Sequence, residues 1–342
     1  MKICIVGAGM AGAYLAGLLN KSGYDYVIFD GRSEPSCHCA WGISSYRLFQ
    51  FLAKKVDLKA RDYVLSRIET IVTPVGEFDA KDVVTIDKPA WLKALWDMVG
   101  VNTGVIYPRD EIDMDADIYV DATGTRRSLM GLLDGDRKIS THQMCARVTF
   151  GKLSSSSIYV YFDDIGGYAW AFPIFPHWHI GAGHVKPERI PELIGKLMEM
   201  LDLSKSDVEV NCRCINSIRW NVDICRFCQP VVNNGKVFVP IGEAAGLVSV
   251  IGEGNIPAME SARILMDCIK SGTVAKYPDM ILSYTRFKEM VKHYQIYNDL
   301  TSGNPLKVIN ASRRVVQVLG RRLSTDVVKK LMLIIKSENE KA

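Results

Sequence analysis

The stretch VFVPIGEAAGLVSVIGEG, residues 237–254, runs from a β-branched apolar strand into a turn that carries four glycines. A counterpart stands more than 200 residues earlier: in ICIVGAGMAG, residues 3–12, a strand from Lys2 to Val6 meets Gly7, Gly9 and Gly12 and gives way to a helix over Met10–Leu19. Two strand-to-helix turns of this kind, near opposite ends of one chain, have to be explained together.

In the first turn each glycine has its own task. Gly7 permits the tight turn, Gly9 lets backbone approach a pyrophosphate, and Gly12 lets the helix pack closely on the strand, while the helix N-terminus holds the phosphates. The small residues Ala11, Ala13 and Ala16 suit a helix lying close to a sheet. YDYVIFD, residues 24–30, reads as a second strand ending at Asp30, whose carboxylate is suited to accept a hydrogen bond from a ribose 2′-hydroxyl. A lone GxGxxG also arises wherever backbones crowd. Here strand, turn, helix, strand and acid follow in order within 30 residues, which favours NAD or FAD with an unphosphorylated ribose.

The second turn separates those two cofactors. GKVFVPIG (235–242) is again a strand, and GEGNIPAMESARILMDCIKSG (252–272) is a helix with apolar residues at Ile256, Met259, Ala262, Ile264 and Leu265. FAD is long enough to be held at both ends. An acid after the strand can bind ribityl hydroxyls, and a second helix N-terminus can face the flavin's pyrimidine edge and stabilise negative charge on the reduced ring. NAD needs no second cradle, so FAD is the expected cofactor.

These residues resemble flavoproteins of the p-hydroxybenzoate hydroxylase fold and, within them, the geranylgeranyl reductase family. IGEAAGLVSVIGEGNIPAMESA is similar to that family's GDAAGLVDPITGEGI type of motif, which aligns Glu243, Ala244, Ala245 and Gly246, then Gly252, Glu253 and Gly254, with Asn255 following. DIYVDATGTRRS resembles the middle motif that touches the dinucleotide, at Asp121 and Gly124. CAWGIS resembles the loop that carries a cysteine near the flavin, here Cys39, and YAWAFP resembles the YxWxFP substrate motif at Tyr168, Trp170, Phe172 and Pro173. Three departures stand out. Glu243 replaces an aspartate, SVIGEG lacks a proline and is one residue short, and Cys39 is followed by alanine and tryptophan.

The resemblance implies reduction of isolated carbon–carbon double bonds in prenyl chains, on a geranylgeranyl lipid or an isoprenoid quinone tail, by FAD hydride. Cys39 is then the candidate proton donor or flavin neighbour, with a buried small hydrophobe as its bland alternative. Arg47, at the head of YRLFQFLAKK, is a candidate contact to the flavin diphosphate or ribityl chain, or a solvated helix charge. GGYAWAFPIFPHW sets Tyr168, Trp170 and Phe172 on one face of an alternating strand with Phe175 and Trp178 beyond, a wall for an isoprenoid tunnel or an ordinary sheet core. His142, His177, His179 and His184 receive no role. No second dinucleotide turn is visible, so the electron donor stays open among ferredoxin, NADPH and other reductants. The rival readings are an FAD-dependent aromatic monooxygenase or halogenase, and a non-catalytic flavin-binding protein associated with a membrane.

The bulk numbers agree with a two-domain α/β protein. A chain of 342 residues, 48% hydrophobic and 23% charged, can bury roughly three quarters of its unfolded surface. The expected fold is a Rossmann-like FAD-binding domain assembled from residues 1–62, 87–135 and 233–275, an inserted antiparallel β-sheet substrate domain from 63–86 and 136–232, and a C-terminal helical segment, 276–342. Net charge is +4, too mild to argue for nucleic acid. Eight Lys and Arg against Asp326 give residues 307–336 a charge of +7, which suits either a solvated helix face or peripheral contact with anionic lipid headgroups. Nine cysteines with no convincing leader point to a reducing cytoplasmic setting. Cys212 and Cys214, then Cys225 and Cys228, invite a metal or a disulfide; CxC does not match ribbon spacing, and a strand would place Cys212 and Cys214 on one packing face, so no metal is expected.

Overall fold

The alternation of apolar residues along the first strand already requires cover on both of its faces. In β1 (Lys2–Val6), Ile3 and Ile5 enter one buried cluster while Cys4 and Val6 enter another. The structure, a computed structural model, describes residues 1–36, 41–106, 115–162, 166–220 and 223–302, together with 304, 307, 310 and 311. Cys39 and nearly all of the basic tail, 312–342 included, lie outside the described residues.

Strand β1 is central in a six-stranded sheet whose order is β13 (Val231–Asn233), β14 (Lys236–Pro240), β7 (Ile118–Asp121), β1, β2 (Asp25–Asp30) and β6 (Asn102–Thr103). All neighbours run parallel except β13 and β14. On one face pack α1 (Met10–Lys21), α3 (Lys88–Val99) and α6 (Asn255–Lys270), which carry Ala13, Leu15, Trp91, Leu95, Met259 and Ile264 into the same core as Ile3, Ile5, Val120 and Val239. Burying a side chain of this size contributes about 1.5–3 kcal/mol. The other face is covered by Leu129 and Met130 against Phe29, Tyr119 and Phe238.

The second sheet has eight strands in the order β12 (Val208–Arg219), β8 (Lys138–Val148), β11 (His177–His184), β10 (Gly167–Ile174), β9 (Ser157–Tyr161), β4 (Val64–Thr73), β5 (Gly76–Ile86) and β3 (Gly42–Ile43). It is antiparallel apart from the β4–β9 pair. Its outer face packs Ala169, Ala171, Trp178, Ile180 and Ala182 against Leu193 and Leu197 of α4 (Ile190–Met200). Two helices, α7 (Tyr277–Ser283) and α8 (Thr285–Leu300), follow α6, and Phe287 and Met290 of α8 join the first core. The chain is thus a mixed α/β protein with a Rossmann-like sheet, a largely antiparallel second sheet and helices toward its C-terminus. Among the described residues no helix is long and apolar enough to cross a membrane.

Two corrections to the aromatic wall follow from strand alternation. Trp178 pairs with Pro173 across β10 and β11, and Trp178 lies in the core beneath α4, so both residues belong to the outer face. Pro173 is tied there through its carbonyl, which accepts a hydrogen bond from Thr85 Oγ1 at 2.6 Å. Phe175 sits in the turn between the strands with 66% of its surface exposed. The inner face of β10 therefore presents Tyr168, Trp170 and Phe172, without Pro173, Phe175 or Trp178.

Candidate active site

Four parallel strands end at one edge of the six-stranded sheet, and each delivers a piece of the site. Val6 of β1 is level with Phe29 of β2 and with Asp121 of β7, and Pro240 of β14 is level with Asp121. The two glycine turns, 235 residues apart at Gly7 and Gly242 by number, are thus separated by a single strand, β7, at a spacing of about 10 Å. This edge, outside the carboxyl ends of parallel strands, is where open α/β sheets bind ligands.

In the first turn the glycines are not equivalent. A Cβ on Gly7, whose φ is +97°, would lie 2.4 Å from the Ala122 carbonyl oxygen, and one on Gly12 would lie 1.9 Å from the Gly7 oxygen. Nothing lies within 4 Å of a Cβ on Gly9. Gly7 and Gly12 are needed to close the turn, whereas Gly9 faces open space at the N-terminus of α1, where no side chain caps the helix. An anionic group finds unclaimed backbone N–H groups there.

Asp30 ends β2 with only 7% of its surface exposed. Its Oδ2 accepts from Ala8 N at 2.7 Å and its Oδ1 from Arg32 N and Nε at 2.9 and 2.8 Å. Arg32 lies over the Trp96 ring, whose Nε1 donates to the Ala8 carbonyl at 2.7 Å. These bonds outweigh desolvation and hold the Asp30 carboxyl below the usual carboxylate range, burial being the largest single influence and opposing the shift. Asp121, wholly buried, accepts from Thr123 N and Oγ1 and from Leu129 N and Met130 N at 2.7–3.1 Å. Its four donors make it the organiser of the loop that carries Gly124, which has a φ of +63°.

The second turn is buttressed from below by two buried arginines that sequence reasoning did not single out. Arg127 donates to the carbonyls of Ala244 and, at 2.9 Å, Phe227. Arg219 pairs with Asp136, donates through its guanidinium to Thr125 O at 2.8 Å, and through its backbone N to Glu243 Oε1 at 2.7 Å. Both guanidinium groups lie over Phe227 in α5 (Ile224–Phe227), at 5.0 and 5.2 Å. Each arginine reads as a surface charge in sequence, and only the long-range pairing buries it.

Burial pushes Glu243 up and takes Glu253 to about 7. Glu253 Oε1 accepts from Ile256 N in the first turn of α6 at 2.9 Å, and Gly252 and Gly254 flank it. Lys88, buried at the start of α3, acts electrostatically on Glu243, Glu253 and His179 together. It too escaped the sequence reading, because a lysine after an N-capping aspartate looks like an ordinary helix start.

The inner face of β10 is fastened to this second turn at two points. Tyr168 OH donates to the Ile251 carbonyl, and a Cβ on Gly252 would lie 3.2 Å from the same hydroxyl. Phe172 rests on Gly42, whose carbonyl accepts from Asn255 Nδ2 at 2.9 Å. The Arg47 side chain is 89% exposed and pairs with Asp82 at 3.9 Å. The cysteines do not converge. Cys212 is level with Cys145 on β8, while Cys228 is buried in the chain that follows α5. Among the described residues no three His, Cys, Asp or Glu are grouped to hold a metal.

Residues 5–52 match the family model of the NAD(P)-binding Rossmann-like domain. Among solved structures, a geranylgeranyl bacteriochlorophyll reductase-like protein from Thermoplasma acidophilum superposes with a TM-score of 0.65 at 16% identity over 97% of this chain and 98% of that one. The Klebsiella pneumoniae protein HpxO, solved with FAD and uric acid, gives 0.64 at 13% identity over 98% and 97%. The chain shares their fold. An uncharacterised protein of Methanocaldococcus jannaschii is 25% identical over 323 residues, 82% of this chain and 87% of that relative.

Proposed function

We propose that the chain is an FAD-dependent oxidoreductase that reduces carbon–carbon double bonds of prenyl chains. The observation that carries the cofactor is the union of both glycine turns at one sheet edge, with an uncapped helix start and open space at Gly9. The residues fit a long dinucleotide. Gly7, Gly9 and Gly12 would take the diphosphate, Asp30 the adenosine ribose once Arg32 yields one of its bonds, and Glu243 with Ala244, Gly246, Gly252, Gly254 and Asn255 the flavin half, with Asp121 and Gly124 shaping the loop between. Lys88 joins this set as a buried cation that offsets negative charge. FAD, when bound, supplies the hydride.

The chain's own part is positioning, exclusion of water and delivery of a proton. An isolated alkene accepts hydride poorly, and its second carbon needs a proton in a dry site. Tyr168, Trp170 and Phe172 furnish apolar cover beside the second turn. Glu253, taken to about 7 by burial, holds a proton near neutral pH at that turn and is a second candidate donor in addition to Cys39, which lies outside the described residues. Support for the prenyl substrate comes from the matched reductase motifs and from the fold shared with the reductase-like protein of T. acidophilum. HpxO, with uric acid bound, supports a second reading, an oxygen-consuming flavoenzyme with a compact substrate.

Anaerobic incubation of the photoreduced, FAD-loaded protein with geranylgeranyl lipids separates the two. The prenyl reading requires flavin reoxidation and a product heavier by pairs of hydrogens. Reoxidation by oxygen alone, with a hydroxylated or halogenated compact product, supports the rival.

A further inference from the structure

Four side-chain polar atoms that are buried with no hydrogen-bond partner gather at the inner face of the second sheet: Trp41 Nε1, Gln143 Nε2, Trp170 Nε1 and His179 Nδ1. Strand register makes them neighbours. Trp170 of β10 is level with Gly181 of β11, which is level with Gln143 of β8, and His179 lies two residues along β11 from Gly181 on the same face. Trp41 stacks on the His179 ring, with centroids 5.8 Å apart and planes 18° from parallel. Gly181 is what lets the group close up: a Cβ there would lie 2.7 Å from both Trp170 Cζ2 and Gln143 Cβ.

Gln143, Trp170 and His179 keep 5–6% of their surface exposed, so solvent does not satisfy them. A buried donor left without an acceptor is costly, and such groups in folded proteins ordinarily have a partner. We propose that Trp41, Gln143, Trp170 and His179 form a recognition site for an uncharged acceptor oxygen of the substrate, a carbonyl carried on or beside a flat ring. The claim rests on the reading of this face as the substrate wall and adds to it the residues that select the substrate's polar group.

Three considerations fix the chemistry. Two indole N–H groups can only donate, so the matching group accepts. None of the four carries a charge at neutral pH, because burial, with Lys88 nearby, holds His179 down at about 4. Neutral donors suit a carbonyl, whereas a phosphate or carboxylate is recognised through cations and backbone nests. Trp41 stacked on His179 and Trp170 with Tyr168 tilted 55° against it at 5.5 Å make the surroundings of the four atoms aromatic and apolar, which suits an oxygen borne on a ring.

The test compares menadione with 2-methylnaphthalene, the same ring system without its oxygens, by calorimetric titration of the oxidised, FAD-loaded protein. The wild type is expected to bind menadione more tightly. Q143L and W170F are each expected to weaken menadione about tenfold and to leave 2-methylnaphthalene unchanged. Equal affinity of the wild type for both compounds overturns the proposal, as does an equal loss for both in variants that keep their FAD and melting temperature. Displacement of menadione by inorganic diphosphate also overturns it, since the site would then be anionic in its preference. No turnover is read, so a protein that fails to reduce prenyl chains can still show the oxygen-dependent preference, and a protein that reduces them can lack it.

Discussion

Gly242 in the second glycine turn lies against Ala11 in the first helix: with φ at +59°, a Cβ on Gly242 would stand 2.9 Å from the Ala11 Cβ. The contact joins two segments 231 residues apart and makes each turn part of the other's wall. Gly242 N also donates to Ser261 Oγ of α6 at 2.9 Å, so the helix after the second turn is drawn onto the helix after the first. Everything proposed for the cofactor depends on this juxtaposition.

The glycines of the first turn are expected to separate by consequence. Gly9→Ala should fold with stability within about 1 kcal/mol of wild type, because its Cβ meets open space, yet lose tenfold or more in FAD affinity by standing where a phosphate approaches. Gly12→Ala, whose Cβ would overlap the Gly7 carbonyl, should fail to fold or melt far lower. Chemical denaturation without FAD, paired with titration of FAD, measures both.

Replacing Asp121 tests its role as an organiser. Asp121→Ala orphans four donors, two of them the buried N–H groups of Leu129 and Met130, and at about 1–3 kcal/mol for each buried unsatisfied group the loss should exceed about 2 kcal/mol. Asp121→Asn keeps some acceptors and should lose less. Urea denaturation of both variants measures the order.

Tyr168→Phe removes the bond to the Ile251 carbonyl while keeping the ring. A loss of about 1 kcal/mol in global stability is expected, with a larger relative rise in protease cleavage near residue 251 as the second turn loosens.

Glu253 gives a signed pH dependence. Its carboxyl is raised in the folded chain, from an ordinary value of 4.5 to about 7, so between those values the folded state binds more protons than the unfolded one. The group's contribution is therefore present at low pH and is lost as pH rises through 7. Glu253→Gln should show wild-type stability near pH 5 and exceed wild type by on the order of 1–3 kcal/mol near pH 8. Thermal melts of both proteins at the two pH values check it.

Much of the fold was legible because its signals are local. The order of strand, glycine turn, helix, strand and acid lies within 30 residues, and the second strand-to-helix turn repeats that grammar. The side-chain direction of Pro173 and Trp178 was not legible, because an aromatic-rich run gives no sign of which face meets α4 until the partner strands set it. Arg127 and Arg219 escaped notice for a related reason. Their burial follows from Phe227, Asp136 and Ala244, each supplied by a distant segment. Arg47, which the sequence leaves between a flavin contact and a solvated helix charge, has an exposed side chain paired with Asp82.

The most direct test is to refold the protein free of nucleotide and titrate it with FAD and, separately, with NAD, following the flavin spectrum and the heat of binding. One FAD per chain, bound tightly with a perturbed flavin spectrum, and no comparable binding of NAD is the result this account predicts. A folded protein that takes up NAD, or that leaves FAD free in solution, would contradict it.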